Sequence, residues 1–291
     1  QGTLRPDLIE SGNPDVSGYA KKIKTHHNDV GIIRALRDKG HVIETNWDWH
    51  KDEVRQVARM LGLDEEIASR QPFPGPGLGV RILCTDSGKT ADAEKSGLLA
   101  DFMATANVPF RAALAPVQSV GVQGDHRSYR SLVILSGAGL TPDFDTLYQT
   151  AKTIPNELNF VNRVAYLLNR REVGGTLHSV RSRICREEAD LLREADAIVT
   201  SEIMRPMADG KCHIAQCFAV LLPVGVGDRF SIAVRAVVTN DFMTAQSAVP
   251  GVDFPADALA NIVRRIEAAG LPVDMILYDV TGKPPATVEW E

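Results

Sequence analysis

The chain has 291 residues, 44% of them hydrophobic and 24% charged, with a formal charge of −5. This is ordinary globular composition, with length enough for two domains and a sizeable core. The acidic balance argues against general nucleic-acid binding, which needs a basic surface, and no apolar window reaches the length of a membrane helix.

The first stretch, "QGTLRPDLIES", reads like the end of something already folded. A chain that starts at Gln1, without an initiator methionine, reads most simply as a fragment or a processed chain. "KKIKTHHNDV" then gathers Lys21, Lys22, Lys24, His26 and His27. Ammonium groups and imidazoles at such spacing suit phosphate, and equally suit a solvated basic turn. Ile32, Ile33 and Leu36 recur with helical spacing, and Gly40 is placed to cap that helix. "HVIET" reads as a short strand. The next segment is an amphipathic helix with Val54, Val57, Ala58 and Leu61 on one face, ended by Gly62 and followed by a shorter helical turn towards Arg70.

"RQPFPGPGLGVRI", from Arg70 to Ile82, sets three prolines and three glycines against an apolar run. Glycine lets a ligand or a second backbone approach closely, and proline lowers the entropy lost in holding a shape. A stiff linker between domains is the other reading. "CTDSGKTADAEKSG" is small and polar, as a boundary or surface insert would be.

The remainder carries a faint internal repeat. "SVGVQGDHRSYRSLVILSG" begins at Ser119 and "LLPVGVGDRFSIAVRAVVT" at Leu221. Each has Val-Gly-Val, then Gly-Asp, an arginine and a β-rich run. Asp125 and Asp228 are 103 residues apart, a spacing that suits a duplicated subdomain rather than a solenoid. Helical patterns follow in "DFDTLYQTAKTI" and "ADALANIVRRIEAAG", then strands in "VNRVAYLL" and "VDMILYDV". That order predicts α+β units with helices on one face of a small sheet. "EEADLLREADAIVTSEIM" reads as a connecting helix. In the terminal "TGKPPATVEWE", Pro284 and Pro285 stiffen the chain and Trp290 offers an anchor to bury; an ordered functional tail and a frayed end both remain open. The "GDHR" turn at 124–127 is either an ion-paired turn or part of a site. Cys84, Cys185, Cys212 and Cys217 are widely spread, which fits a reducing cytoplasm. Cys212, His213 and Cys217 raise the question of zinc, but a second ligand pair is missing, so no metal site is assigned.

Taken together, "QGTLRPDLIES", "KIKTHHND", "HKDEVR", "PFPGPGLGVRI", "SVGVQGD", "NDFMTA" and "YDVTGKPPATVEWE" resemble, in order and from the first residue to the last, the C-terminal part of the glutamine-hydrolysing GMP synthase family. The resemblance implies a fold of α/β and α+β type. Residues 1–83 would be the C-terminal remnant of an ATP-pyrophosphatase domain of the adenine-nucleotide α-hydrolase kind. Residues 84–170 and 171–291 would be two α+β dimerisation subdomains, the second with a connector helix and an XMP-binding tail. It implies a ligase of purine biosynthesis, which adenylates xanthosine monophosphate (XMP) with ATP and Mg2+ and then displaces AMP with ammonia from glutamine. XMP-binding roles carry over to Arg5, Asp125, Gln216, Lys283 and Glu289, and a catalytic lid role to Lys24, His26 and His27. Gln71 stands where the family more often has histidine, so it receives no role. A homodimer in the cytoplasm is implied, with neither nucleic acid nor membrane as partner. The Ser-Gly-Gly-Val-Asp-Ser loop of the pyrophosphatase and the glutaminase domain do not occur in this sequence. The chain alone is therefore expected not to make GMP, and its expected partner is the missing N-terminal region that bears them. The alternative is a non-catalytic XMP-binding and dimerisation module.

Overall fold

The computed structural model describes residues 1–10, 28, 30–68, 77–123, 126–207, 209–239 and 244–291. The chain divides into two compact units, residues 1–72 with 124–126, and residues 73–123 with 127–291. Among the described residues, no helix is long and apolar enough to cross a membrane.

The first unit contains α1 (Arg5–Glu10), α2 (Gly31–Asp38), α3 (Lys51–Met60) and α4 (Glu65–Ala68). Gly40 ends α2 as expected: at φ +71° it lets its own N–H reach the Arg37 carbonyl and His41 N–H reach that of Leu36, both at 2.9 Å. At the start of α3, the His50 N–H donates to the Glu53 carboxylate at 2.7 Å, and Gly62 at φ +78° follows its end. The expected strand at "HVIET" is corrected, since residues 41–45 form none. A strand exists only through a ladder of partners, whereas here the Ile43 carbonyl accepts from the Gln1 amino group at 2.7 Å. Neither α2 nor α3 buries a residue, and Ile32, Met60 and Leu61 stand exposed.

The second unit is built on a seven-stranded sheet. Its helices are α5 (Ala93–Ala106), α6 (Phe144–Glu157), α7 (Arg186–Ile203) and α8 (Ala258–Ala268). Its strands are β1 (Arg111–Gln123), β2 (His126–Ser136), β3 (Val161–Leu167), β5 (Gln216–Leu222), β7 (Phe230–Val238), β8 (Gln246–Ser247) and β9 (Val273–Asp279). A small separate pair joins β4 (His178–Ser179) to β6 (Val224–Gly225). The sheet order is β1-β2-β3-β9-β7-β5, with β8 beside β7. The order has an internal symmetry. α5-β1-β2-α6-β3 and α7-β5-β7-α8-β9 follow the same plan, with β2 parallel to β3 and β7 parallel to β9. The two halves meet where β3 and β9 run antiparallel. Strands from 84–170 and from 171–291 therefore lie in one sheet.

Burial explains why the strands read as continuous apolar runs. β3 and β5 are buried at every position, because both faces of the sheet are covered. Val164, Tyr166, Ala219, Leu221, Ile276 and Tyr278 face a core shared with Leu147, Val199 and Ile262 of the helices. The alternate residues Ala165, Leu167, Phe218, Val220, Met275 and Leu277 enter a second core, which contains Val288 and Trp290. The C-terminal tail thus closes the second face. It lies along β1, with Gly121 bridged to Ala286, Val122 N–H donating to the Pro285 carbonyl at 2.8 Å and Val120 N–H to that of Trp290 at 2.9 Å. The outer edge of β5 is met by Leu83, whose N–H donates to Leu221 at 3.1 Å.

The last five residues of the polar stretch, from Ala93, form the first turn of α5. Asp92 caps α5 by accepting from Lys95 N–H at 3.1 Å, and Asn107 closes it at φ 48°. Leu99 is the fully buried residue of α5, and Phe102 and Met103, one turn on, pack half-buried against the same core.

Candidate functional site

The tail is fixed by buried charge. Asp279 ends β9, and Arg163 of β3 and Arg235 of β7 converge on it; all three side chains are fully buried. Arg163 Nη1 donates to Asp279 Oδ2 at 2.6 Å, and Arg235 Nη1 lies 3.2 Å from Oδ1. Two guanidinium groups share one carboxylate, so one positive charge is left to be met by dipoles. The tail supplies them. Arg163 Nη2 donates to the carbonyls of Thr287 at 3.1 Å and Glu289 at 3.0 Å, and Arg235 donates to those of Thr281 and Thr287. The Arg163 guanidinium also lies over the Trp290 ring, 4.4 Å from its centroid. Burial pushes the Arg163 pKa down to about 10, against the pull of Asp279, and it stays cationic at neutral pH.

The Glu289 side chain is held next to this clamp. Gln216, at the start of β5, donates from Nε2 to Glu289 Oε1 at 3.1 Å. Oε2 lies 3.8 Å from Nε of the buried Arg81 and has no hydrogen-bond partner among the described residues. Burial raises the Glu289 carboxyl above its usual range, opposed by Arg81 and by Gln216. Asp196 of α7 faces the same guanidinium at 3.8 Å and accepts the Ala219 N–H at 2.6 Å. An amide and a carboxylate side by side present both donor and acceptor, which suits sugar hydroxyls or base edges.

Lys283 lines a cavity of about 710 Å3, whose walls include Tyr148, Lys152, Thr244 and Ser247. Its backbone pairs in both directions with Ala245, at 2.7 and 3.1 Å. The peptide bonds Lys283–Pro284 and Pro284–Pro285 are cis.

Of the residues singled out in the sequence, Gln216 and Glu289 are brought together, and Lys283 is on the same tail. Arg5 opens α1 in the first unit, exposed, with its N–H donating to Trp49 at 3.1 Å. Asp125, Lys24, His26 and His27 lie outside the described residues, as do Arg70–Pro76 of the proline-glycine loop. Cys212, His213 and Cys217 are not gathered as ligands: His213 turns to Asp209 at 3.1 Å and Cys217 is in the core. Sequence reasoning missed Arg81, Arg163, Arg235 and Asp279. It also gave no role to Lys51, whose pKa burial and the neighbouring Arg55 lower to about 8.

A mixed α/β unit whose last eleven residues serve both as core and as a polar site defines the kind of protein. Residues 204–290 match the GMP synthase C terminal domain. All of the chain aligns with a GMP synthase (glutamine-hydrolysing) of Dictyostelium discoideum, 34% identical and covering 46% of that protein. All of it likewise aligns with a probable GMP synthase of Caenorhabditis elegans, 35% identical and covering 48%. With the GMP synthase of Thermomicrobium roseum, 57% of this chain and 34% of that protein align at 41% identity. Residues 204–290 carry the GMP synthase C terminal domain, and the chain is similar over its whole length to the C-terminal portion of these synthases. It spans about half the length of the curated relatives it matches over its whole length.

Proposed function

We propose that this chain supplies the nucleotide-binding and dimerisation portion of a GMP synthase, a ligase that adenylates XMP with ATP and replaces AMP by ammonia from glutamine. The observation that carries the reading is the hydrogen bond between Gln216 and Glu289, two residues distant in sequence to which the same family resemblance gives an XMP-binding role. Glu289 and Gln216 would accept and donate to sugar hydroxyls or the base, and the ammonium group of Lys283 and the guanidinium of Arg5 would meet the phosphate's charge. Asp125 completes the proposed set. Lys24, His26 and His27 would meet charge on the departing pyrophosphate and exclude water from the adenylated intermediate. Residues 1–83 are read as the end of the ATP-pyrophosphatase domain, and 84–170 and 171–291 as the dimerisation subdomains of a cytoplasmic homodimer.

ATP chemistry of this kind calls for Mg2+, which prefers all-oxygen ligands. Among the described residues, the one close group of candidate ligands is Cys185 with Glu187 and Glu188, whose thiol does not suit Mg2+. These residues do not fit that ion, and no step is assigned to it here. The exposed apolar side chains of the first unit, Ile32 of α2, Met60 of α3, and Ile43 and Leu61 outside the helices, support an additional polypeptide region bearing the pyrophosphatase loop and glutaminase. The two-sided core of the second unit favours the other reading, a binding and dimerisation module that folds without catalysis.

Isothermal titration with XMP tests the site. Glu289→Gln and Lys283→Ala should each weaken binding by at least tenfold. Wild-type affinity in both variants removes the tail from the site.

A further inference from the structure

The proline-glycine loop runs directly into a short 3-10 turn, Gly77–Arg81, and Arg81 is only 1% exposed. Its guanidinium packs 4.3 Å from the centroid of the Phe218 ring. Two carboxylates flank it at equal distance: Asp196 Oδ2 is 3.8 Å from Nη1, and Glu289 Oε2 is 3.8 Å from Nε. Each carboxylate is fixed by another group, Asp196 by the Ala219 N–H and Glu289 by Gln216. The planar fork of arginine can serve two anions in different directions, which a lysine point charge does less well.

We propose that Arg81 is a positioning residue, which joins the Gly77–Arg81 turn to the tail by holding the Glu289 carboxylate beside Gln216, with Asp196 as the competing anion that limits its pull. The proposal rests on the reading of Glu289 as a nucleotide ligand and adds the device that keeps that ligand ionised and aimed. Glu289 is half-buried, but its Oε2 is out of water and without a hydrogen bond among the described residues, and a carboxylate oxygen so placed is costly without an adjacent cation. Arg81 from the turn, Arg235 from β7 and Arg163 from β3 face Glu289 as cations. Asp279 of β9 neutralises much of the latter two, which leaves Arg81 as the cation not committed to Asp279. Asp196 of α7 and the thiol of Cys217 in β5 also neighbour Arg81.

The test is a carbon-13 titration of the Glu289 carboxyl in the full chain, its resonance assigned by Glu289→Gln. Arg81→Met should move the midpoint upward, because the nearest cation is gone. Asp196→Asn keeps an oxygen for Ala219 but removes the competing charge, and should move the midpoint downward. Arg81→Lys should fall between wild type and Arg81→Met. Opposite movements are not expected of residues that only fill space. Midpoints that stay put, or move the same way in Arg81→Met and Asp196→Asn, overturn the proposal. If Arg81→Met fails to fold, Asp196→Asn decides alone, and an unmoved midpoint is fatal. The underlying reading has a separate readout: unchanged XMP affinity in Glu289→Gln refutes it, whatever the titration shows.

Discussion

Trp290→Ala asks whether the last residues are core or appendage. Trp290 is fully buried in the second core, against Val288 and beneath the Arg163 guanidinium. A tryptophan of this kind withdraws about 150–250 Å2 from water. At ~25 cal/mol per Å2 this is about 4–6 kcal/mol. Surface already hidden in the unfolded chain lowers that by roughly 10–40%. Loss of the stacked cation adds about 2 kcal/mol in a desolvated site. The indole Nε1 has no hydrogen-bond partner among the described residues, so its burial already costs about 1–3 kcal/mol, which truncation returns. The two adjustments offset, and the expected loss is about 3–5 kcal/mol, in line with other buried aromatic truncations. For a unit of this size that is roughly 6–20 °C in Tm. Urea and thermal unfolding followed by circular dichroism measure it, with Trp290→Phe expected between the two because it keeps a ring for Arg163. A loss below about 1 kcal/mol, the scale of an ordinary surface substitution, would refute a tail that belongs to the core.

Two further perturbations probe the same packing and the first unit. Gly121→Ala places a methyl 2.6 Å from both Asn162 Nδ2 and the Pro285 carbonyl, so it should destabilise by about 1–3 kcal/mol, whereas Gly97→Ala in α5, with nothing within 4 Å, should stabilise by about 0.5–1 kcal/mol; paired thermal melts distinguish them. Lys51, with its pKa lowered to about 8, should react with an amine-directed label faster near pH 8 than the exposed Lys89 or Lys95, read by mass spectrometry. The sign for stability follows from the same shift: between about pH 8 and the ordinary lysine range the unfolded chain holds more protons at this position, so the first unit gains stability as pH rises through that window, and Lys51→Met should abolish the gain.

Much of this architecture is legible in the letters, and the exceptions have physical causes. The repeat, the helices at α6, α7 and α8 and the strands β3 and β9 follow from apolar period and length. The sequence leaves the tail open between ordered and frayed, and the buried Trp290, a large apolar ring after two prolines, decides for order. "HVIET" misleads because strand formation depends on a partner, which local pattern does not contain. α5 is hidden because its first residues are small and polar, and its core-facing apolar residues, Leu99, Phe102 and Met103, begin only midway along it. Arg81 passes for loop, since its partners Asp196 and Glu289 are distant in sequence. Arg163, Arg235 and Asp279 had a readable signal: each interrupts or ends a run otherwise apolar enough to be buried on both faces, and a charge there needs a partner.

The symmetry of the sheet explains why the site forms where it does. The antiparallel register pairs Ala165 with Asp279, so the chain leaving β9 must pass Val164 and Arg163 of the other repeat. Thr281 makes that passage, with its hydroxyl accepting from Val164 N–H at 2.7 Å and donating to the Val164 carbonyl at 2.9 Å. Beyond it the tail bonds to Val120 and Val122 of β1, in the first repeat, while Glu289 turns back to Gln216 of β5, in the second. β3, the counterpart of β9, is followed by β4 and α7 instead of such a tail. A duplicated sheet thereby acquires one asymmetric feature, and Glu289 receives its surroundings from both repeats because the tail that carries it is the strap between them.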